Sequence, residues 1–208
     1  PMGGPNGRVG PPNASPLPQP SPRDMVPRAG PDMPIRQGGV RGIIGKIEAD
    51  KKQTSHYTEV VGAAGGTQFV DSTETGRVLS VTLGGVGLPV VTSFQITLLD
   101  NEMALPRTPA LRGHGGGDTA SISLAPGEHI VEASGTFGGE HSASRQQTCI
   151  ESLTITTSAG NSASAGTANG GKQFRLRIPP GQYCNGAFGH AGPVLLAFGL
   201  VFGFPRPK

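Results

Sequence analysis

From Gly42 onward the chain alternates short β-branched and aliphatic runs with glycine-rich turns. This is the signature of antiparallel strands in an all-β sandwich, barrel or prism. Residues 43–49, 57–61, 78–83, 92–99, 120–124, 129–137, 148–156, 172–178 and 194–202 carry the pattern. Two runs show the alternation openly. Phe174, Leu176 and Ile178 face away from Gln173, Arg175 and Arg177, and Ile150, Ser152 and Thr154 away from Glu151, Leu153 and Ile155, so one face of these strands meets water. Glycine pairs and triplets at 65–66, 84–85, 115–117, 138–139 and 170–171 fall between the runs, where left-handed backbone or close chain approach demands them. From Ser158 to Gly171 only Ala, Ser, Thr, Asn and Gly occur, which reads as a long flexible hairpin or a surface loop.

The amino end breaks the pattern. Its first 40 positions hold eleven of the chain's 20 prolines and seven of its 34 glycines. Such a stretch does not offset its own ordering entropy, so residues 1–41 are expected to be an extended or disordered arm. Within it Pro16-Leu-Pro-Gln-Pro-Ser-Pro22 favours polyproline II, which serves as a spacer or docks into an aromatic-lined groove of a partner protein. Residues 42–204 then form the folded domain and 205–208 a short tail. Pro1 in place of an initiator Met, with no signal-peptide pattern, reads as a processed or truncated end.

Charged residues make up 15 % of the chain and the net charge is +3. Most of that surplus sits in the arm, where Arg8, Arg23, Arg28 and Arg36 outweigh Asp24 and Asp32. The balance argues against a polyanion-binding surface, and so against nucleic acid as a partner. No run reaches the roughly 18 apolar residues of a membrane-spanning helix. The most apolar stretch, 193–204, is interrupted by Gly199 and Gly203.

His114-Gly-Gly-Gly117, followed by Ile122, Leu124, Pro126-Gly-Glu128 and Ile130 to Gly135, resembles the jacalin-related lectin family. There a histidine and glycine turn leads through a strand and a Pro-Gly-Glu turn to a second strand. Further pieces are similar to the family in its own order. They are Gly62 to Asp71, Val78 to Val81, Thr92 to Ile96, Ile150 to Ile155, Gly170 to Phe174, Gly186 to Gly192 and Leu195 to Leu200. The resemblance runs over residues 62–202. It implies a β-prism I of three four-stranded Greek-key sheets around a pseudo-threefold axis, with a sugar site at one end.

In that family a monosaccharide is held by the amino-terminal glycine loop, by backbone amides of the closing loop, and by an Asp four residues after a Gly. A carboxylate and convergent N–H groups suit vicinal hydroxyls. Carried onto this sequence, the resemblance points to Gly65, Gly66, His190, Gly192, Pro193, Val194, Leu195 and Leu196. Gly192 matches the family's Gly, but Leu196 stands where the family has Asp. A leucine accepts no hydrogen bond, so the site is expected to be degenerate, with the amides of Val194 and Leu195 as remaining donors.

Other chemistry is poorly supported. His56, His114, His129, His141 and His190 lack metal-ligand spacing, and the resemblance places His114 and His190 in glycine turns. Asp71, Asp100, Asp118, Glu128, Glu132 and Glu140 show no pairing that would serve a glycosidase. No phosphate-loop or dinucleotide fingerprint occurs, so no cofactor is implied. Asn13-Ala-Ser15 fits an N-glycosylation acceptor. Together with an even cysteine count it fits a secreted or cell-surface protein in which Cys149 and Cys184 pair; the alternative is two free buried thiols in a reducing compartment.

Two functions follow as expectations. One is a non-catalytic, extracellular carbohydrate-binding protein whose partners are glycans or glycoproteins. The other is a structural module, in which the prism is a scaffold in an oligomer or larger assembly and the arm is its tether.

Overall fold

The computed structural model describes residues 55–100, 105–138 and 148–204. The arm, Asn13, the run at 43–49 and the tail 205–208 lie outside the described residues, and no helix occurs among those described. No helix there is long and apolar enough to cross a membrane.

The chain runs through β1 (Ser55–Tyr57), β2 (Val61–Gly62), β3 (Thr67–Ser72), β4 (Arg77–Val86), β5 (Ser93–Leu99), β6 (Pro106–Arg107) and β7 (Arg112–Gly113). It continues through β8 (Asp118–Ser123), β9 (Ile130–Gly138), β10 (Cys149–Thr157), β11 (Ser162–Gly166), β12 (Lys172–Arg177), β13 (Tyr183–Ala191) and β14 (Leu195–Gly203). These strands form three antiparallel sheets: β1-β14-β13-β3 with β2 also on β14, β6-β5-β4-β8 with β7 also on β5, and β11-β10-β9-β12. The sheets enclose one main core, as the expected prism requires. Phe69, Phe94 and Phe198 anchor it, with Phe94 stacked on Phe69 at 6.2 Å and edge-on to Phe198 at 5.2 Å.

Every strand therefore runs between two ends. One end, here the pole, gathers the ends of β4, β9 and β13, the starts of β5, β10 and β14, and the glycine segments that precede β3, β8 and β12. The opposite end, the base, holds the turns between β3 and β4, β8 and β9, and β12 and β13. Eight residue steps along β13 separate them, about 26 Å.

Of the two alternatives for the small-residue segment 158–171, the structure has the hairpin: β11 lies inside it, pairs antiparallel with β10, and buries Ala163 and Ala165. Small side chains there let the strand sit close against the core. Two sequence expectations need correction. Ile150 does not share a face with Ser152. Register shifts between Ile150 and Ser152, leaving Glu151 unpaired in the ladder, so Ile150 and Leu153 are both buried; one extra residue in a strand inverts the alternation. Finally, Cys149 and Cys184 are free thiols. Cys149 clusters with Leu196 at the pole, whereas Cys184 pairs in register with Phe202 near the base. Six steps along β14 lie between those levels, about 20 Å, and a disulfide needs Cα atoms within about 7 Å. Burial pushes the Cys184 thiol up to about 12.

Among the described residues, an ion pair formed by the buried Asp71 and the partly buried Arg112 crosses between sheets. Arg112 on β7 donates from Nε and Nη2 to the two carboxylate oxygens of Asp71 on β3, at 2.8 and 2.6 Å, and its guanidinium lies 5.3 Å from the centre of the Phe69 ring. Asp71 in return raises the Arg112 pKa through these hydrogen bonds, against the opposing effect of burial.

Candidate functional site

The pole is built from three copies of one backbone arrangement. Gly62, Gly113 and Gly166 all have positive φ, at 101°, 98° and 73°. A Cβ on any of them would fall within 2.2 Å of a carbonyl oxygen, that of Leu196, Thr92 or Glu151 respectively. Only glycine fits both demands. The residues just before these three are linked in turn, since Leu195 N–H donates to Val91 C=O and Val91 N–H to Ile150 C=O, each at 3.0 Å. Leu196, Thr92 and Glu151 are thus equivalent positions at three corners, each facing a glycine segment.

Their chemistry differs corner by corner. Thr92 donates from Oγ1 to Gly116 C=O at 2.7 Å. Glu151 is fully buried and accepts at Oε2 from the N–H groups of Asn169 and Gly171, at 3.0 and 3.1 Å, while its Oε1 has no partner among the described residues. Each of these side chains ties down its own glycine segment. Leu196 instead packs with Val90, Cys149 and Val194 and lies 3.6 Å from where a Gly192 Cβ would stand. It is 1 % exposed and fills the space beneath the closing turn.

The structure brings most of the expected site residues together. His190 Nδ1 lies 3.0 Å from Gly65 C=O, which makes it the donor there, and it ties the first glycine loop to β13 in the way Thr92 and Glu151 do at their corners. Its Nε2 is buried without a hydrogen-bond partner among the described residues. His190 sits within β13 and not in a turn. Gly66 lies directly against the Ala191–Gly192 backbone. Gly192 N–H donates to Val194 C=O at 3.0 Å, and Pro193 C=O accepts from His114 N–H at 3.3 Å, so the closing turn is tethered to the second glycine segment. Two expectations fail locally. The Leu195 amide is already bonded to Val91, and Leu195 itself is a core residue. The sequence reading also missed Glu151 and Thr92 as corner positions; the repeated pairing of a lone Gly with a later glycine cluster, at 62 and 65–66, 113 and 115–117, and 166 and 170–171, was the available signal.

Three sheets around a shared core with three related corners define a β-prism. Residues 58–201 match the family model of the jacalin-like lectin domain. The chain belongs to that family. Solved structures of the same fold include AcmJRL, a mannose-binding jacalin-related lectin from Ananas comosus, at 17 % identity and TM-score 0.64, covering 74 % of this chain and 100 % of that one. Malaysian banana lectin shares 23 % identity at TM-score 0.61, over 73 % and 99 %. The artocarpin–mannotriose complex gives 21 % at TM-score 0.64, over 73 % and 99 %. No curated protein matches the chain.

Proposed function

We propose that this protein is a non-catalytic carbohydrate-binding protein whose closing-turn site is degenerate. Family membership supports the carbohydrate class, together with neighbours described as binding mannose or mannotriose. The single observation that carries the degeneracy is Leu196, buried against Val90 and Cys149 where the resemblance implies an acceptor carboxylate. The other corners do not replace it: Thr92 and Glu151 hold their own loops. Glycans or glycoproteins are the partners of this reading. Its extracellular setting rests on the Asn13 acceptor pattern, since the thiols are free.

The same buried leucine favours a second reading, in which the prism is a scaffold and the arm engages a neighbouring protein. A glycan array probed with the full chain and with Leu196→Asp and Val194→Asp variants separates the two. The first reading expects glycan binding by the unmodified chain, with simple mannosides gained or strengthened in Leu196→Asp. A silent wild type beside a binding Leu196→Asp variant would favour the scaffold. Silence from all three, each verified as folded by circular dichroism, refutes the carbohydrate reading.

A further inference from the structure

At the base, far from the corners just described, the turns after β3 and β8 and the start of β13 surround a cavity of about 320 Å³. That volume lies within the range of small-molecule sites. One wall is aromatic: the rings of Tyr183 and His129 are tilted against each other at 4.6 Å, and Tyr183 remains 39 % exposed. Phe204 stands at the rim with 62 % of its surface exposed. Asn185 also lines the cavity. It is 8 % exposed, its backbone C=O accepts from Thr73 N–H, and its carboxamide makes no hydrogen bond among the described residues. The carboxamide is not among the sealed side-chain atoms that lack a partner, so water reaches it through the cavity, and its donor and acceptor are open to a bound polar group.

Charge narrows the ligand. Arg77 lines the cavity and donates one N–H to Ala125 C=O at 3.3 Å, and Glu128 lines it as well. Glu128 is held below the ordinary carboxylate range, first by the Thr157 hydroxyl, then by Ala125 N–H and Asn161, and so stays ionised. The Glu128 carboxylate repels an anion and the Arg77 guanidinium repels a cation. A neutral ligand with one apolar face and several hydroxyls satisfies both constraints. The apolar C–H face of a pyranose stacks on an aromatic ring, and its hydroxyls both donate and accept.

We propose that the base cavity is a second ligand site, which binds a neutral saccharide unit stacked on Tyr183 and hydrogen-bonded to Asn185. This rests on the carbohydrate reading above and moves the recognition surface to the opposite end of the prism. The two ends are about 26 Å apart along β13, so substitutions at one act independently of the other.

The test uses the full chain on an array of neutral oligosaccharides, mannose-containing ones included, with affinities of the strongest hit measured by calorimetry. Tyr183→Ala and Asn185→Ala occupy the base; Ala64→Trp, on an exposed position of the first glycine loop, obstructs the pole. The expected result is a roughly tenfold or greater loss of affinity in each base variant, none in Ala64→Trp, and an unfolding midpoint for Asn185→Ala no lower than wild type. A merely structural Asn185 would lower that midpoint. Binding that survives both base variants and disappears in Ala64→Trp would overturn this site while leaving the carbohydrate reading intact. An array silent for the wild type would overturn both.

Discussion

Replacing Arg112 by methionine isolates the buried charge of Asp71. The carboxylate is 3 % exposed and both its oxygens are bonded to the guanidinium. No other side chain among the described residues shares it. Methionine keeps the packing beside Phe69 but leaves Asp71 an uncompensated buried ion. Breaking such a pair from one side costs about 3–5 kcal/mol. At about 2–4 °C per kcal/mol for a domain of this size, the thermal midpoint falls by about 6–20 °C. The double variant Asp71→Leu/Arg112→Met removes both ions and recovers most of the loss. Urea denaturation of wild type, both single variants and the double variant at pH 7 completes the cycle. A loss under about 1 kcal/mol in Arg112→Met, or a double variant no better than the singles, would show that water already screens the pair.

Two further predictions concern groups elsewhere in the prism. Alkylation with iodoacetamide under denaturing conditions without reductant should label both Cys149 and Cys184, and native protein should leave Cys184 unlabelled, since its pKa of about 12 keeps it protonated and burial shields it; an unlabelled pair in denatured, unreduced protein would establish the disulfide instead. Glu132 is held below the ordinary carboxylate range, foremost by its hydrogen bond to Arg175 and also by Arg177. A depressed carboxyl stabilises the folded state above its unfolded value and loses that contribution as pH falls, so the stability gap between wild type and Glu132→Gln should narrow from about pH 5 to pH 3, and a gap independent of pH would count against the pairing.

Several strands whose side chains alternate in size and polarity were legible in sequence, although β3, which also alternates, was not among the runs. On β12, Phe174 and Leu176 are buried while Gln173, Arg175 and Arg177 are exposed, as the period of two dictates. Two strands escaped that logic. β11 is made only of Ser, Ala and Gly, and β13 is buried at every position after Tyr183. Neither offers an alternation, because one carries too little contrast and the other has no wet face. On β13, Gly186 and Gly189 sit where a Cβ would strike the backbone of the adjacent strand, so their composition imitates a turn. At the site, Gly65, Gly66, Gly192 and the substitution at Leu196 were readable by resemblance. What Leu196 does there was not, since the register shift that turns it beneath the closing turn is a property of pairing. The bond that removes the Leu195 amide comes from Val91, more than a hundred positions away.

The three glycines at Gly62, Gly113 and Gly166 press on carbonyls, not on side chains. What the fold demands of each corner is therefore a main-chain shape, and the residue displayed there is free to be leucine, threonine or glutamate. Folding and display are written in separate parts of the same short segment. Such a prism behaves like a socket with three interchangeable fittings, in which one corner can lose or change its chemistry without asking permission of the other two. That separation is consistent with a prism sharing only 17–23 % identity with AcmJRL, banana lectin and artocarpin, and it makes the corners the natural place to graft new recognition.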